Sequence, residues 1–323
     1  MYFVSEDVAK QVVAMPDAIA AIETMFRDYG QGQADVFPVV MGQGPHAGTF
    51  FSMKAGRMQA RGVVGLKVGS YWPDNRAQGR PAHSSSTLLL DPDTGYAHAL
   101  VAASYLTALR TAAADAVAVR WLARENSSVL ALVGAGHQAW FELLAVREVR
   151  PIQQVCVANR CPETARTFAR RIGHELGLAA QAMPVEQAVA QADIIVTVTA
   201  ARQALFPAHL VRPGTHISAM GADNTGKQEL DPALVASARL FADVVQQSCS
   251  VGEYEAAFQA GCIQPEQITT LSAVLHGAPG RRSADDITIF DSSGMALQDL
   301  AICALALEKA QSKGLAHHVA SGC

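Results

Sequence analysis

The chain has 323 residues, of which half are hydrophobic and 17% are charged, a balance typical of an ordinary globular protein with a large core. Its net charge of −4 and its pI near 6.2 argue against a nucleic-acid or anionic-membrane partner. No apolar run reaches the length of a membrane span, and the N-terminus lacks the layout of a signal peptide, so we expect a cytoplasmic protein without a membrane partner.

The cysteines and histidines show no metal-binding pattern. The six cysteines are scattered without a C-x-x-C pair, and the histidines form neither H-x-x-x-H nor H-E-x-x-H. We therefore expect reduced thiols and no structural or catalytic metal.

The front of the chain predicts an α+β segment. Residues 1–30 predict two helices, with Ser5 as a cap for the first and Pro16 opening the second. Extended stretches follow, and turn residues separate them into a sheet of largely antiparallel hairpins. These stretches cover residues 35–53, 61–69, 86–90 and 97–102. An Ala-rich helix over residues 105–124 leads into the next segment.

The segment from Ser127 to Arg160 predicts a nucleotide-binding unit. A short apolar run, Val129–Val133, predicts a buried strand, and residues 134–139 fit G-x-G-x-x-A before a helix and a second strand at 154–158. In this context Gly134 allows a tight turn, Gly136 lets the backbone approach a pyrophosphate, and the helix N-terminus attracts the phosphates. We therefore predict dinucleotide binding rather than a structural glycine turn.

The end of the second predicted strand bears on the choice of nucleotide. An NAD site usually has an acid there to hold the ribose hydroxyls, whereas this chain has Asn159 and Arg160 and no acid before Glu163. Because an arginine can pair with a 2′-phosphate, NADP(H) is favoured over NAD(H). The alternative is that Arg160 is a solvated loop residue.

The rest of the chain alternates strands with helices. Strands are predicted at 194–199, 216–220 and 240–242, helices at 162–176, 185–190 and 232–238, and a helical but less regular stretch at 250–280. The alternation predicts an α/β fold with a Rossmann, doubly wound parallel sheet. A long apolar helix over 295–313 is expected to return across the front segment. Residues 1–120 plus 296–323 would then form a discontinuous α+β domain, and residues 121–295 the Rossmann domain.

Four polar positions are candidates for chemistry. Lys67 interrupts an apolar strand and either faces a cleft, where it binds a carboxylate or serves as an acid, or points to water. Arg110 suits bidentate binding of a carboxylate, although a surface position is the alternative. Asp223 follows a predicted strand, where an acid can do acid–base work or simply stabilise a turn. The polar group that begins with His83 and Ser84 could anchor a substrate or start a strand.

These features together resemble the ornithine cyclodeaminase/mu-crystallin family over nearly the whole chain. The matching segments are Gly65–Lys67, Leu106–Ala113, Gly134–Ala139, Val196–Thr199, Gly221–Asp223, Gly226–Asp231 and Ser293–Asp299. The resemblance implies a homodimer joined through the front α+β domain, with the active site facing the nicotinamide in a cleft between domains.

The resemblance also implies roles for individual residues. By the resemblance, Lys67 and Arg110 bind the substrate carboxylate and Asp223 does the acid–base chemistry. Our own hypothesis keeps His83 or water as an alternative source of the proton. The implied cofactor contacts are Thr111, Gly134, Gly136, His137, Gln138, Asn159, Arg160, Thr197, Val198, Thr199, Ser293 and Gly294.

Three features favour the reductases of this family over its cyclodeaminases. Phe51 stands where we would place the acid that holds a side-chain amine, Asn159-Arg160 resembles the end of an NADP(H) site, and the stretch 81–83 resembles the Pro-x-His of mu-crystallin. The expected activity is NAD(P)H-dependent reduction of a small α-imino acid. Ornithine or lysine cyclodeaminase is the alternative, and a non-enzymatic binding protein is a third possibility.

One departure from the family pattern concerns the first extended stretch. Many members have an arginine there, where this chain has residues 37–40, Phe-Pro-Val-Val. Either a carboxylate contact is missing or Lys54 or Arg57 replaces it. The polar group at 83–86 together with Lys54 could suit a second carboxylate, as in iminosuccinate.

Overall fold

The computed structural model describes residues 1–320, apart from the side chain of Arg76. Its strands are β1 (Tyr2–Val4), β2 (Ala34–Val36), β3 (Val40–Gln43), β4 (Phe50–Met58), β5 (Val63–Tyr71), β6 (His83–Leu90), β7 (Ala97–Ala102), β8 (Val129–Val133), β9 (Gln154–Ala158), β10 (Ala179–Ala182), β11 (Ile194–Thr197), β12 (His216–Ala219), β13 (Arg239–Ala242), β14 (Ile268–Thr270), β15 (Thr288–Asp291) and β16 (His317–His318). Its helices are α1 (Glu6–Val12), α2 (Met15–Gly30), α3 (Ser104–Leu122), α4 (His137–Val149), α5 (Pro162–Leu176), α6 (Val185–Gln191), α7 (Pro232–Ser237), α8 (Val245–Ser250), α9 (Glu255–Gln259), α10 (Leu271–Leu275) and α11 (Ala296–Ser312).

The chain divides into two compact units. The first contains Met1–Thr111 and the residues from Met295 onward, and the second is Ala112–Gly294. The division falls inside α3. From the sequence we placed the boundary between the α+β domain and the Rossmann domain at residue 120. That division by function stays a prediction.

The first unit is a mixed sheet with helices. Its strands lie in the order β16-β1-β7-β6-β5-β4-β2, and β3 also pairs with β4. All neighbours are antiparallel except β1 and β7, so the predicted antiparallel hairpins are confirmed. Strand β1 was not predicted, because its pairing with β7 leaves no local signal in the sequence. As predicted, Ser5 caps α1, its hydroxyl accepting a hydrogen bond from the Val8 N–H.

Helix α11 covers one face of this sheet. It packs against β4, β5 and β6 and beside α2, which confirms that it returns to the front segment. Gly65 permits the close approach, since a Cβ there would lie 2.2 Å from the Leu88 carbonyl oxygen and 3.2 Å from Leu300 Cδ2. The packing places the first turns of α11 directly over the middle of β5.

The second unit is a parallel sheet of the doubly wound kind. The strands of this sheet lie in the order β10-β9-β8-β11-β12-β15-β13-β14, all parallel. The order reverses between β8 and β11, which is where such sheets bind ligands. The α/β class is therefore confirmed. The prediction of a helical stretch over 250–280 is wrong in part, because β14 lies between α9 and α10 and completes the edge of the sheet. Strands β10 and β15 were also missed.

No described helix combines the length and apolar character that crossing a bilayer requires.

Candidate active site

The turn after β8 has the geometry of a nucleotide-binding loop. Gly134 has φ +116°, a conformation that side chains rarely adopt, and a Cβ there would lie 2.7 Å from the Val198 carbonyl oxygen. Its N–H donates to the Ala158 carbonyl at 2.8 Å. Gly136 caps α4, and a Cβ there would meet nothing within 4 Å. The absence of side chains therefore leaves the N-terminus of α4 open to an anionic group.

A cavity of about 840 Å³ adjoins this turn, large enough for a small-molecule or cofactor site. It lies at the carboxyl ends of β8, β9 and β11, within the second unit. It is lined by Val133, Gly134, Ala135, Gly136, Ala158, Asn159, Arg160, Pro162, Ala165, Arg166, Ala182, Met183, Pro184, Val185, Val198, Thr199, Ala200, Ala201 and Leu205. The lining includes six of the residues expected to contact a cofactor, namely Gly134, Gly136, Asn159, Arg160, Val198 and Thr199.

The other expected cofactor contacts do not line this cavity. His137 is exposed and stacks against Phe141, and Gln138 donates to Glu142 at 2.8 Å. Thr197 is buried in β11. Thr111 belongs to the first unit, where its hydroxyl donates to the Thr107 carbonyl.

Ser293 and Gly294 lie at the end of the second unit and are mostly buried. The Ser293 hydroxyl donates to Gln247 Oε1 at 3.2 Å, and the Gly294 N–H donates to Asp243 Oδ2 at 3.0 Å. These bonds fix the backbone that follows β15. Their expected role as cofactor contacts stays a prediction.

Two buried carboxyl groups support the ends of the central strands. Glu229 accepts N–H hydrogen bonds from Thr199 at 2.6 Å and Gly221 at 3.0 Å, which ties the residues after β11 to those after β12. Glu253 accepts N–H bonds from Glu229 and Leu230. Burial raises the pKa of Glu229, and burial together with the charge of Glu229 raises the pKa of Glu253 well above its ordinary value. Glu229 belongs to the family segment Gly226–Asp231, but no role was predicted for its carboxyl group.

Asp223 lies in the loop beyond β12 that Glu229 supports. Its side chain is 57% exposed and forms an ion pair with Lys227, whose ammonium also donates to the Gly221 carbonyl at 3.2 Å. The predicted acid–base residue is thus accessible to solvent and already held by a cation of its own loop.

In the first unit, Lys67 and Arg110 lie on either side of one carboxylate. Lys67 Nζ is 2.8 Å from Asp299 Oδ2, and Arg110 Nε is 2.9 Å from Asp299 Oδ1. Arg110 also donates to Gln298 Oε1 at 2.7 Å. All three charged side chains are at least nine-tenths buried. The structure therefore brings together the two predicted carboxylate ligands and adds Asp299, which the sequence analysis quoted as a family mark without a function.

The electrostatics of this cluster favour a further anion. Burial lowers the pKa of Lys67 to about 8; Arg110 and Lys54 lower it too, while Asp299 opposes the shift. Burial by itself raises the pKa of Asp299, but Arg110 and Lys67 outweigh burial and the net shift is downward. Asp299 is thus ionised at neutral pH and neutralises only one of the two cations that it contacts.

The register of β4, β5 and β6 decides which neighbouring side chains share the face of Lys67. Lys54 and Thr87 are its direct partners in the adjacent strands. His83 lies on the same face, whereas Ser84 lies on the opposite one because successive strand residues alternate. Ser85, and not Ser84, thus has its side chain on the Lys67 face. Arg57 is also on the opposite face, 55% exposed and paired with Asp35 at 2.6 Å.

Among residues 1–320 no group of three or more His, Cys, Asp or Glu side chains is arranged to hold a metal ion.

The fold and the two sites are those of a dinucleotide-binding oxidoreductase whose second unit carries the nucleotide loop. The family model of the ornithine cyclodeaminase/mu-crystallin family matches residues 1–314, and the chain belongs to that family.

Three relatives are similar over the full length. The chain is 42% identical over 320 residues to the iminosuccinate reductase of Paracoccus denitrificans, covering 99% of each. The crystal structure of that reductase in complex with NAD⁺ matches with a TM-score of 0.95 at 41% identity and 99% coverage of both chains. The Δ¹-pyrroline-2-carboxylate reductase of Thermococcus litoralis, in complex with NADH and L-proline, matches with a TM-score of 0.94 at 30% identity, over 99% and 100% of the chains. An archaeal alanine dehydrogenase dimer with bound NAD matches with a TM-score of 0.94 at 34% identity and 99% coverage of both.

We predict that Asp299→Asn destabilises the protein by about 3 kcal/mol, because it removes the carboxylate that compensates two buried cations. Urea denaturation at pH 7 measures the change in the free energy of unfolding. The matched control is Asp35→Asn, which removes the partner of exposed Arg57 and should cost less than about 1 kcal/mol. Equal losses in the two variants would contradict the assignment.

Proposed function

We propose that the protein is an NAD(P)H-dependent reductase of a small α-imino acid. The observation that carries the proposal is the buried pair of Lys67 and Arg110 around Asp299, in a chain whose second unit has the glycine turn and cavity of a dinucleotide site. Relatives that match at least 80% of the chain are named iminosuccinate reductase, alanine dehydrogenase and Δ¹-pyrroline-2-carboxylate reductase, and these names support an imino-acid substrate. Candidate substrates are pyrroline-2-carboxylate, piperideine-2-carboxylate and iminosuccinate.

In the proposed reaction the charged residues bind the substrate and donate a proton, and the glycines make room for the cofactor. A bound nicotinamide cofactor supplies a hydride to the carbon of a C=N bond. Lys67 and Arg110 bind the carboxylate next to that carbon, which fixes the orientation of the imine. Gly134 and Gly136 leave room for the cofactor's pyrophosphate. Asp223 is the predicted proton donor to the nitrogen.

A specific observation weighs against the alternative of a cyclodeaminase. Such an enzyme needs an acid to hold the side-chain amine of ornithine or lysine. On the face of β4, β5 and β6 that carries Lys67, the register places no Asp or Glu in these three described strands. The position quoted in the sequence analysis, Phe51, lies on the opposite face, where its ring adjoins Gly42.

The function is tested by a substrate panel at several pH values. We expect oxidation of NADPH or NADH with at least one of pyrroline-2-carboxylate, piperideine-2-carboxylate, pyruvate plus ammonium and oxaloacetate plus ammonium. Because Lys67 has a pKa of about 8 and binds an anion only when protonated, kcat/KM should fall above about pH 8. Lys67→Arg keeps its charge at high pH and should move that decline upward.

Two results would refute this function. One is the absence of turnover with every imine on the panel. The other is release of ammonia from ornithine without accumulation of NADH, which identifies a cyclodeaminase.

We further propose that the cofactor is NADP(H) in preference to NAD(H). Arg160 and Arg166 line the cavity beyond β9, and both are exposed. Arg166 is paired with Glu163 at 2.8 Å, so Arg160 is the arginine that we assign to a 2′-phosphate. Strand β9 ends at Ala158 without the acid that would hold the ribose hydroxyls. Structures of relatives contain NAD⁺ or NADH. The proposal therefore concerns the ratio of the kcat/KM values for NADPH and NADH.

We predict that Arg160→Gln lowers kcat/KM for NADPH by about 10- to 100-fold, because the substitution removes a charge-assisted hydrogen bond to the 2′-phosphate. The kcat/KM for NADH should change by less than about threefold. The control is Arg171→Gln on α5, which lies outside the cavity lining and stacks on Trp140. Steady-state kinetics with both cofactors give the ratio. A wild-type preference for NADH, or an unchanged ratio in Arg160→Gln, would contradict the proposal.

We also propose a homodimer that joins through the first unit. The face of its sheet opposite Lys67 has a central group of half-buried apolar side chains, with Arg57, Ser70 and Ser84 at its margins. An accessible apolar surface of this kind favours association. Its residues include Phe51, Met53, Val64, Leu66, Val68 and Leu88. An archaeal alanine dehydrogenase similar to this chain was solved as a dimer.

We predict that wild-type protein sediments with twice the 34.1 kDa mass of the chain and that Leu66→Asp sediments as a monomer, since a charge on this face disfavours association. Tyr96→Asp, at an exposed turn position outside the face, should stay dimeric. Circular dichroism verifies that both variants are folded. A monomeric wild type would rule the proposal out.

A further inference from the structure

Three glycines lie on the face of the first sheet that carries Lys67. Gly56 and Gly65 are direct partners in the β4–β5 pair, and Gly69 is the partner of Ser52. They share the face of Lys67 because the side chains on one face recur at every second residue of a strand. A glycine inside a strand weakens it, and it often marks a bulge or a place where another backbone or a ligand comes close.

The packing of the chain itself explains Gly56 and Gly65. A Cβ at Gly65 would lie 2.2 Å from the Leu88 carbonyl oxygen. A Cβ at Gly56 would lie 2.7 Å from the Asp35 carbonyl oxygen and 3.0 Å from Leu297 Cδ2 of helix α11. Both glycines are buried, and a larger residue at either position would push the backbone or the helix away.

Nothing in the described residues gives Gly69 a comparable reason. Its φ lies outside the left-handed region that favours glycine, and it pairs regularly with Ser52 and Ser85 of the adjacent strands. A Cβ there would make two ordinary contacts, at 3.6 Å from Ser52 Oγ and 3.8 Å from Lys67 Cε, and would meet no other described atom within 4 Å. An alanine would therefore fit, and it would hold the strand better than glycine does.

The surroundings of this empty position indicate what fills it. We call the volume that a side chain at residue 69 would occupy the Gly69 space. It adjoins the aliphatic stem of Lys67, whose ammonium lies 2.8 Å from Asp299 Oδ2 and, in the proposed function, binds the substrate carboxylate. An α-imino acid carries its substituent on the carbon next to that carboxylate. Gly69 is half-buried, so a small molecule can reach the space beside the lysine.

We propose that Gly69 is a specificity-determining residue and that the Gly69 space receives the substituent on the imine carbon of the substrate. The proposal rests on the proposed function and adds the position that limits the size of this substituent. The carboxylate is held by the charges of Lys67 and Arg110, whereas the substituent is accommodated by the absence of a side chain. Carboxylate binding and selection by size therefore depend on different residues.

The kinetic test varies the substituent and the residue together. Glyoxylate, pyruvate and 2-oxobutyrate, each with ammonium, form imines that carry a hydrogen, a methyl group and an ethyl group on the imine carbon. We expect Gly69→Ala to lower kcat/KM for 2-oxobutyrate by about 10-fold and Gly69→Val by about 100-fold, because the added carbons compete with the substituent for the same space. Both variants should leave kcat/KM for glyoxylate within about threefold of the wild-type value.

The matched control is Ser70→Thr, which adds one methyl group to the next residue of β5. Its side chain lies on the opposite face, where the Ser70 hydroxyl donates to the Ser84 carbonyl at 3.4 Å, a bond that threonine can also form. The control should change none of the three kcat/KM values. If the Gly69 variants lower all three values equally, the inference is overturned while the proposed imine reductase stands.

A binding measurement decides the inference without turnover. Calorimetry of the protein with bound NADP⁺ compares glycolate with 2-hydroxybutyrate, which differ by an ethyl group on the carbon next to the carboxylate. We expect Gly69→Val to weaken the binding of 2-hydroxybutyrate by at least about tenfold and that of glycolate by less than about threefold. Equal weakening of the two acids, or a wild type that does not bind 2-hydroxybutyrate, overturns the inference even if no imine on the panel is reduced.

Thermal unfolding separates this role from a structural one. Because alanine fits at residue 69 and restricts the unfolded chain more than glycine does, Gly69→Ala should melt at a temperature no lower than that of the wild type. A lower melting temperature would show that the fold itself requires glycine at this position, which overturns the inference.

Discussion

The first unit depends on the ion-pair cluster that Asp299 forms with Lys67 and Arg110. Two cations cannot be buried side by side in an apolar sheet–helix layer unless an anion compensates them. Asp299 does this while still leaving a positive charge for a ligand. The same burial that makes the cluster costly lowers the pKa of Lys67 into the range where a lysine can respond to pH. One carboxylate therefore compensates two buried cations and, in the proposed function, leaves one positive charge for the substrate.

The second unit is organised by backbone geometry more than by charge. Gly134 turns the chain at the point where the strand order reverses, and Glu229 and Glu253 hold the ends of β11 and β12 through backbone N–H groups. These buried carboxyl groups hold the residues that follow β11 and β12. The cavity lined by Gly134 and Thr199 is therefore already formed. Preformed sites bind a cofactor without the entropic cost of ordering loops.

The sequence predicted local features of the second unit well. The apolar run of β8, the spacing of Gly134 and Gly136 and the apolar strand of β9 are contiguous signals, and they were correct. The strands that were missed, β1, β10, β14, β15 and β16, have only two to four residues each. Such short segments carry too little periodicity to be recognised, so their conformation is decided by tertiary contacts. The helical interpretation of 250–280 failed for the same reason, because β14 is a strand only through its pairing with β13.

By itself the sequence determined the fold class, the family and the identity of Lys67 and Arg110 as a candidate pair, because those depend on periodicity and on residue type. Only the tertiary structure decided that Asp299, 189 positions after Arg110, is their common partner. It also decided that Ser85 rather than Ser84 shares the face of Lys67, and that Arg57 does not. The physical reason is that the neighbours of a strand residue are set by register, which is fixed by packing against a helix from the other end of the chain.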